Sequence, residues 1–414
     1  MERALRRTAW AAACAGLVTL ASASQAGDGA AAQWRRDIPL PPGASLQGVP
    51  FRDLAGFAQD DHLEAFAVFL RSCVSIASGA RALRDAVPAP ASLVSVCRRA
   101  LSAEVRDKAS AQRFFETNFR AFRVSAKPDG SSDAFLTGYF EPVVDGSLAE
   151  GPDFSAPILS RPDDLVTLPS AASPGSGPLA GLAAARRLPD QSLWPYPDRA
   201  AIEAGDIFGH AVPIVWLRDA VEVFIVQVQG SARVRLADGT LLRLVYAGRN
   251  GQPYTSIGKI LVDTGEIAAQ DMSLARLKQW IRDHGQSPSE PGGALMQRNR
   301  SYIFFDLETS LGLDEGPVGG AGLSLSRLRS IAIDRSIWPY GLPAWIEAEI
   351  PWRDASPSPF RRLMIAQDTG SAIIGPARAD IFFGSGDDAG ARAGDIRSSG
   401  DFVIFLPFEE GSDR

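Results

Sequence analysis

The stretch 367-QDTGSAIIGPARADIFFGSG-386 decides how the rest of the chain is read, because it sets two aspartates, Asp368 and Asp380, at the ends of two apolar runs. "RLMIAQD" runs into Asp368 and "ADIFF" surrounds Asp380; Gly370, Gly375 and Pro376 between them mark a connection rather than a helix. Asp368 begins Asp-Thr-Gly, a tight-turn sequence that suits a carboxylate held by backbone N–H groups and kept ionised. Asp380 opens Ile381-Phe382-Phe383, so on a strand Phe382 shares its face. An apolar neighbour and a nearby second carboxylate both push an aspartate above its ordinary pKa of about 4. Two carboxyls in unlike settings point to one proton donor and one supporting group.

Outward from this stretch the same texture continues. "SYIFFDL" (301–307), "SIAID" (330–334), "AWIEAEI" (344–350) and "FVIFLP" (402–407) are short apolar runs separated by turn residues, the pattern of a β-barrel or sandwich. "AFLTGYFEPVV" (134–144), "AVPIVWL" (211–217) and "EVFIVQVQGSARVRLADGTLLRLVYAG" (222–248) also read as strands, the last as a hairpin about Asp238-Gly239. Residues 150–200, rich in Pro, Gly, Ser and Ala, read as surface loop, and "AAQDMSLARLKQWIRDHG" (268–285) as one helix closed by Gly285. Between about Asp60 and Phe122 the apolar spacing is helical (Leu63, Phe66, Leu70, then Phe115, Phe119). At 414 residues the chain is long enough for two domains.

Residues 1–26 have the layout of a secretory signal: Arg3, Arg6 and Arg7, an uncharged stretch, then Ser24-Gln25-Ala26. Cys14 follows three alanines, without the branched residue of a lipid-attachment box, so an exported periplasmic protein is expected rather than a lipidated one. Removing the signal deletes three arginines and one glutamate from a chain whose formal net charge is already −6, a poor balance for binding nucleic acid. Cys73 and Cys97 can pair in an oxidising compartment, or Cys73 can be a core thiol on its helical face.

Composition narrows the chemistry. The three histidines, His62, His210 and His284, are not at metal-ligand spacing, no Gly-x-Ser-x-Gly elbow occurs, and the glycine-rich "GRNG" and "GSGDDAG" lack the P-loop lysine. Carboxylate chemistry remains. "DTG" at both Asp263 and Asp368 resembles the pepsin-like protease signature, but Glu266 follows the first and the flanks do not echo each other, as matched lobes would require.

The stronger resemblance is to the membrane-bound lytic transglycosylase A family. It rests on "LTGYFEPVVDGS" (136–147), "VQVQGSARVRLADGTLLRLVYAGRNGQPYTSIGK" (226–259), "NRSYIFF" (299–305), "SIAIDRSIWPYGLPAWIEA" (330–348) and "AQDTGSAIIGPARADIFFGSGDDAGARAG" (366–394), whose aspartates are Asp334, Asp368 and Asp380. The resemblance implies a mainly β protein with N-terminal helices. A double-psi β-barrel formed by residues 34–138 and 312–414 would hold a smaller inserted β domain, 139–311, with a substrate groove between them. It implies non-hydrolytic cleavage of the β-1,4 bond between N-acetylmuramic acid and N-acetylglucosamine in peptidoglycan, with a 1,6-anhydro product and no metal or organic cofactor. Asp380 aligns with the catalytic aspartate, with Asp368 and Asp334 in support. Thr137, Tyr139, Glu141, Gln229, Arg249 and Tyr254 are expected at the glycan, and Trp338, Trp345 and Trp352 are candidates for stacking on sugars. The implied protein is a monomer, associated with the outer membrane or with a wall-remodelling complex. The family often has Lys at Ile374 and Gly at Ser371, so one groove cation is expected to be missing. A non-catalytic wall-binding module on the same barrel, like the expansins, is the alternative.

Overall fold

The computed structural model describes residues 40, 42–126, 134–168, 176–309, 316–354, 356–394 and 396–408, so the expected signal segment, Cys14 included, lies outside the described residues. The apolar runs around Asp368 and Asp380 are strands, and they close on one another. Arg397–Pro407, Pro343–Ile350, Ser358–Asp368, Ser330–Ile333, Arg378–Ser385 and Ala134–Glu141 pair in that order, and Ala134–Glu141 pairs again with Arg397–Pro407. A closed six-strand ring has no free edge, which satisfies the backbone groups of these hydrophobic strands. The fold is therefore a mainly β one, built on a closed six-strand barrel.

Three helices, His62–Ser78, Ala91–Ser102 and Lys108–Asn118, cover one side of the ring. Asp61 caps the first, accepting from the Glu64 N–H at 3.1 Å, and Gly79 ends it at φ +68°, where a side chain would be strained. Cys73 and Cys97 are both fully buried and joined as a disulfide between the first two helices.

The second sheet lies between two barrel strands in the sequence. Its order is Ile303–Glu308, Leu241–Arg249, Ala232–Arg235, Val143–Ser147, Pro213–Leu217, Ala156–Leu159, and a bridge from Ser160 to Phe305 brings the last strand back beside the first. The hairpin about Asp238-Gly239 forms as expected, with Gly239 at φ +85°. Its upstream half differs: "EVFIVQVQ" belongs to a helix, Ala220–Gln229, not to a strand. Asp219 caps that helix at the Glu222 N–H (3.0 Å) and Gly230 ends it in the left-handed region. Val221, Val223, Phe224, Ile225 and Val226 are all buried, so packing on nearly every side overrides the β-propensity of the run. Residues 150–200 also hold more structure than their composition suggests. Leu165–Thr167, Ala184–Arg187 and Leu193–Pro195 form a small sheet over buried Leu165, Ala184 and Tyr196. The expected helix at 268–285 is confined to Leu274–Asp283, behind the N-cap Ser273.

The chain crosses from barrel to second sheet at Pro142, and the crossing is fastened by Glu141. Its carboxylate is wholly buried and accepts from Arg233 Nε and Arg243 Nε, both at 2.8 Å, and from the Ser385 hydroxyl at 2.6 Å. Both arginines belong to the second sheet and Ser385 to the barrel, so one side chain holds the two units together.

Glu141→Ala is expected to lower the unfolding free energy by about 3 kcal/mol, because it removes the buried carboxylate that Arg233 and Arg243 share. Urea denaturation reads this directly, and a loss below about 1 kcal/mol would show that the pair is dispensable. The disulfide closes a loop whose ends are 24 residues apart, so replacing both cysteines by alanine is expected to cost roughly 3 kcal/mol, measured in the same assay.

Candidate active site

The barrel strands place the sequence-predicted carboxyls by backbone pairing. Ala332 pairs with Asp380 on one side and with Asp368 on the other, and Asp380 pairs in turn with Thr137. Thr137, Asp380, Ala332 and Asp368 thus form a lateral row across four strands, their side chains on one face. Two strand spacings separate the aspartates, which puts their Cα atoms about 10 Å apart with only an alanine methyl between. The row forms the floor of a cavity of about 350 Å³ between barrel and second sheet, walled on the far side by Gln229, Tyr246 and Tyr254.

The two carboxyls differ in what occupies their oxygens. Asp368 is fully engaged: Oδ1 accepts from the Gly320 N–H at 2.7 Å and Oδ2 from the Tyr139 hydroxyl at 2.8 Å. Asp380 is half engaged. Its Oδ1 accepts from the Thr137 hydroxyl at 2.5 Å, while Oδ2 has no hydrogen-bond partner among the described residues. Thr137 has one proton to give, and its oxygen accepts from Arg378 Nη2 at 2.7 Å, which commits that proton to Asp380 Oδ1. A proton carried by Asp380 therefore belongs on Oδ2, facing the cavity.

Burial pushes both carboxyls above the ordinary aspartate range. For Asp380 the Arg378 charge and the Thr137 hydrogen bond oppose the rise, and the charge of Asp368 adds to it. For Asp368 burial is opposed by Arg84, by the N–H groups of Gly320 and Thr369 and by Tyr139. The expected contrast, with only Asp380 raised and Asp368 held ionised, is not found. Asp-Thr-Gly does supply N–H donors, but burial outweighs them. Asp368 also ends a strand rather than sitting in a loop.

Asp334 does not line the cavity. It is buried and accepts from the Ser336 N–H and hydroxyl at 3.0 and 2.6 Å and from the Gly375 N–H at 2.7 Å, which pins the loop between the Asp368 and Asp380 strands. Thr137, Tyr139, Gln229 and Tyr254 line the cavity as expected. Arg249 sits at its rim and donates to the Ser371 hydroxyl. Glu141, expected at the glycan, is instead the buried fastener described above, since a carboxylate with no exposure cannot reach a sugar. Trp338 and Trp345 are core residues. Trp352 packs edge-on against Phe360 and is not part of the cavity wall, so none of the three tryptophans is a stacking platform here. Ile374 is 75 % exposed and outside the wall, so the cation expected to be missing there leaves no gap in it.

Sequence reasoning overlooked Arg378, Arg84 and the backbone of Gly320. Arg378 had a signal: it lies two residues before Asp380 on the same strand and so on the same face. Arg84 had none, since it stands in an irregular segment between two helices. Asp263, the other Asp-Thr-Gly aspartate, ends an exposed helix turn and pairs with Lys259 at 2.7 Å, away from the cavity. Among the described residues, Asp163, Asp164 and His210 bring ligand-type atoms within 4.8 Å of one another. Arg186 Nε lies 2.6 Å from Asp164 and Tyr196 donates to its other oxygen, so the group fits an ion-pair cluster and poorly fits a cation.

The family described as "MltA specific insert domain" matches residues 135–306, and "3D domain" matches 329–406. Membrane-bound lytic murein transglycosylase A of Escherichia coli K12 is 32% identical over 288 residues, which are 67% of this chain and 68% of that protein. The crystal structure of a membrane-bound lytic murein transglycosylase from Agrobacterium tumefaciens superposes with a TM-score of 0.76 at 36% identity, covering 88% of this chain and 98% of the other. E. coli MltA with bound chitohexaose shares the fold, with a TM-score of 0.60 at 24% identity over 90% and 97% of the two chains. A barrel with an inserted sheet, aspartates on a groove floor between them, and a relative this similar over two thirds of both chains together place the protein in the membrane-bound lytic murein transglycosylase A family.

Proposed function

We propose that the protein cleaves the β-1,4 bond between N-acetylmuramic acid and N-acetylglucosamine in peptidoglycan, with Asp380 as both acid and base. The observation that carries the assignment is the free Oδ2 of Asp380, set against an Asp368 whose two oxygens are both engaged. Burial favours the protonated carboxyl needed at the start, and the Arg378–Thr137 hydrogen-bond chain directs the proton to the oxygen that faces the glycan. Asp380 gives that proton to the glycosidic oxygen as the bond to C1 breaks. The same oxygen then takes the proton of the muramic acid C6 hydroxyl as it closes on C1, which leaves a 1,6-anhydro ring and a restored acid. Ordinary glycosidases need a second carboxylate for water or for the covalent step; an internal hydroxyl removes that need. In this reading Asp368 adjusts Asp380 through its charge and orients Tyr139, and Asp334 holds the intervening loop.

The glycan lies in the groove, where Thr137, Tyr139, Gln229 and Tyr254 present polar groups and Arg249 reaches Ser371 at the rim; the E. coli relative is known with bound chitohexaose. The site of action is the periplasm, at or near the outer membrane, in keeping with the "membrane-bound" name of the relatives and the signal-like residues 1–26. Among the described residues no helix is long and apolar enough to cross a membrane.

Mass spectrometry of material released from purified sacculi tests the reading. The mature protein is expected to release 1,6-anhydromuropeptides, and Asp380→Asn to release them roughly 10²–10⁴ times more slowly. Hydrated reducing ends would mean a hydrolase, and tight binding without release would mean a wall-binding module. The pH profile tests the acid separately. Activity needs protonated Asp380, so kcat/KM falls as pH rises through its pKa. Arg378→Met removes a charge that holds this pKa down and is expected to move the alkaline limb to higher pH. Asp368→Asn removes a charge that holds it up and is expected to move the limb to lower pH. Identical limbs in all three proteins would assign the proton elsewhere.

A further inference from the structure

Three guanidinium groups gather toward the Asp368 end of the groove, and among the described residues none has a carboxylate within ion-pair distance, although the charge of Arg84 is felt by Asp368. Arg84, from the segment after the first helix, lies 4.1 Å over the ring of Tyr246 and donates through Nη1 to the Thr369 carbonyl at 3.2 Å. Arg249 donates to the Ser371 hydroxyl, and Arg335 to the backbone carbonyl of Asp85. These partners are neutral, and among the described residues none of the three forms an ion pair; the Asp85 carboxylate faces Arg81 instead, at 3.8 Å. Other arginines hold carboxylates, Arg186, Arg235, Arg282 and Arg329 among them. Burial lowers the pKa of Arg249; Tyr246 opposes this, and the charges of Arg84 and Arg335 add to it, which places the three cations near one another. In a chain of formal charge −6, such a cluster at the groove is a local site for an anion.

The geometry narrows the anion. Arg84 comes from the barrel side and rests on Tyr246 of the second sheet, while Arg249 comes from the second sheet and reaches Ser371 of the barrel. A ligand there meets both walls. Each guanidinium uses one N–H group and keeps others free in a planar fork, the form that matches a carboxylate. The glycan backbone of peptidoglycan is uncharged, and its carboxylates hang from the 3-O-lactyl substituent of muramic acid. We propose that Arg84 and Arg249, reinforced by the charge of Arg335, bind a carboxylate on this muramoyl substituent, so that the enzyme selects charged strands over neutral ones. The inference rests on the substrate class proposed above and adds the group by which the strand is recognised. The carboxylate belongs to the peptide stem, or to the lactyl group on residues from which the stem has been removed.

Binding to the Asp380→Asn protein, which separates recognition from turnover, tests this with three probes. They are peptide-bearing glycan oligomers, the same oligomers with their carboxyls converted to methylamides, and oligomers whose stems an amidase has removed to expose the lactyl carboxylate. The peptide-bearing oligomers are expected to bind about tenfold more tightly than the methylamides, the scale of one charge-assisted hydrogen bond. The gap is expected to shrink with added salt. Arg84→Met and Arg249→Met, each checked for an unchanged thermal midpoint, should bring the ratio toward one, with Arg84→Lys between. Stripped oligomers that keep the tight binding show that the freed lactyl carboxylate fills the same site; those that fall to the methylamide level confine the site to stem carboxylates. Equal affinity for charged and methylamidated oligomers, or arginine substitutions that weaken both alike, would overturn the inference. Failure of the wild-type protein to release anhydro products would overturn the proposed reaction and leave this charge selection standing, so the two fail separately.

Discussion

A carboxylate with no exposure to water, Glu141, governs the relative placement of the two halves of the groove. A charge removed from solvent costs several kcal/mol unless opposite charges and hydrogen bonds surround it. Arg233, Arg243 and Ser385 meet that condition, but only if the second sheet docks against the barrel strand in one register. The requirement is geometric as well as energetic. Because it falls where the chain leaves the barrel, on the strand that also carries Thr137, it fixes how the second sheet meets the barrel beside the aspartates.

On the barrel side, position comes from the β-ladder. The side chains that would touch substrate are neighbours across strands, and their separation along the sequence reflects only topology: Thr137 and Asp380 are 243 residues apart and share a hydrogen bond. What distinguishes the two aspartates is less their burial than their partners. Both are raised, yet one is held at each oxygen and the other at a single oxygen, and a group that must release and recover a proton needs the free one.

Much of this was legible in the residues. The short apolar runs around Asp368 and Asp380 became barrel strands because β-branched and aromatic residues there have a closed ring to fill. The first helices followed their spacing as far as Asn118, whereas Phe119 and Phe122, read with them, lie on a strand, Phe119–Ser125, paired with the barrel; the Asp238-Gly239 turn followed its dipeptide. The helix Ala220–Gln229 was not legible as one. A segment buried on nearly all sides loses the periodicity that tells helix from strand, and its signals were the small ones at its ends, Asp219 and Gly230. Glu141 was misjudged for a related reason. A polar residue on a motif strand looks the same in sequence whether it faces a ligand or a buried arginine, and here the arginines lie about a hundred residues downstream. Asp368 shows the converse limit, since a turn signature reports the donors it supplies and not how deeply the fold buries them.

Ala332 carries a last consequence. The strand it occupies acts as a ruler between the two acids, whose separation is a multiple of the hydrogen-bonded repeat and owes nothing to the length of any loop. Surface connections on this barrel can therefore lengthen, shorten or change composition while the calibration of the active site stays constant. Homologues that share little sequence in their loops can hold the same chemistry, because the distance that matters is written into the backbone itself.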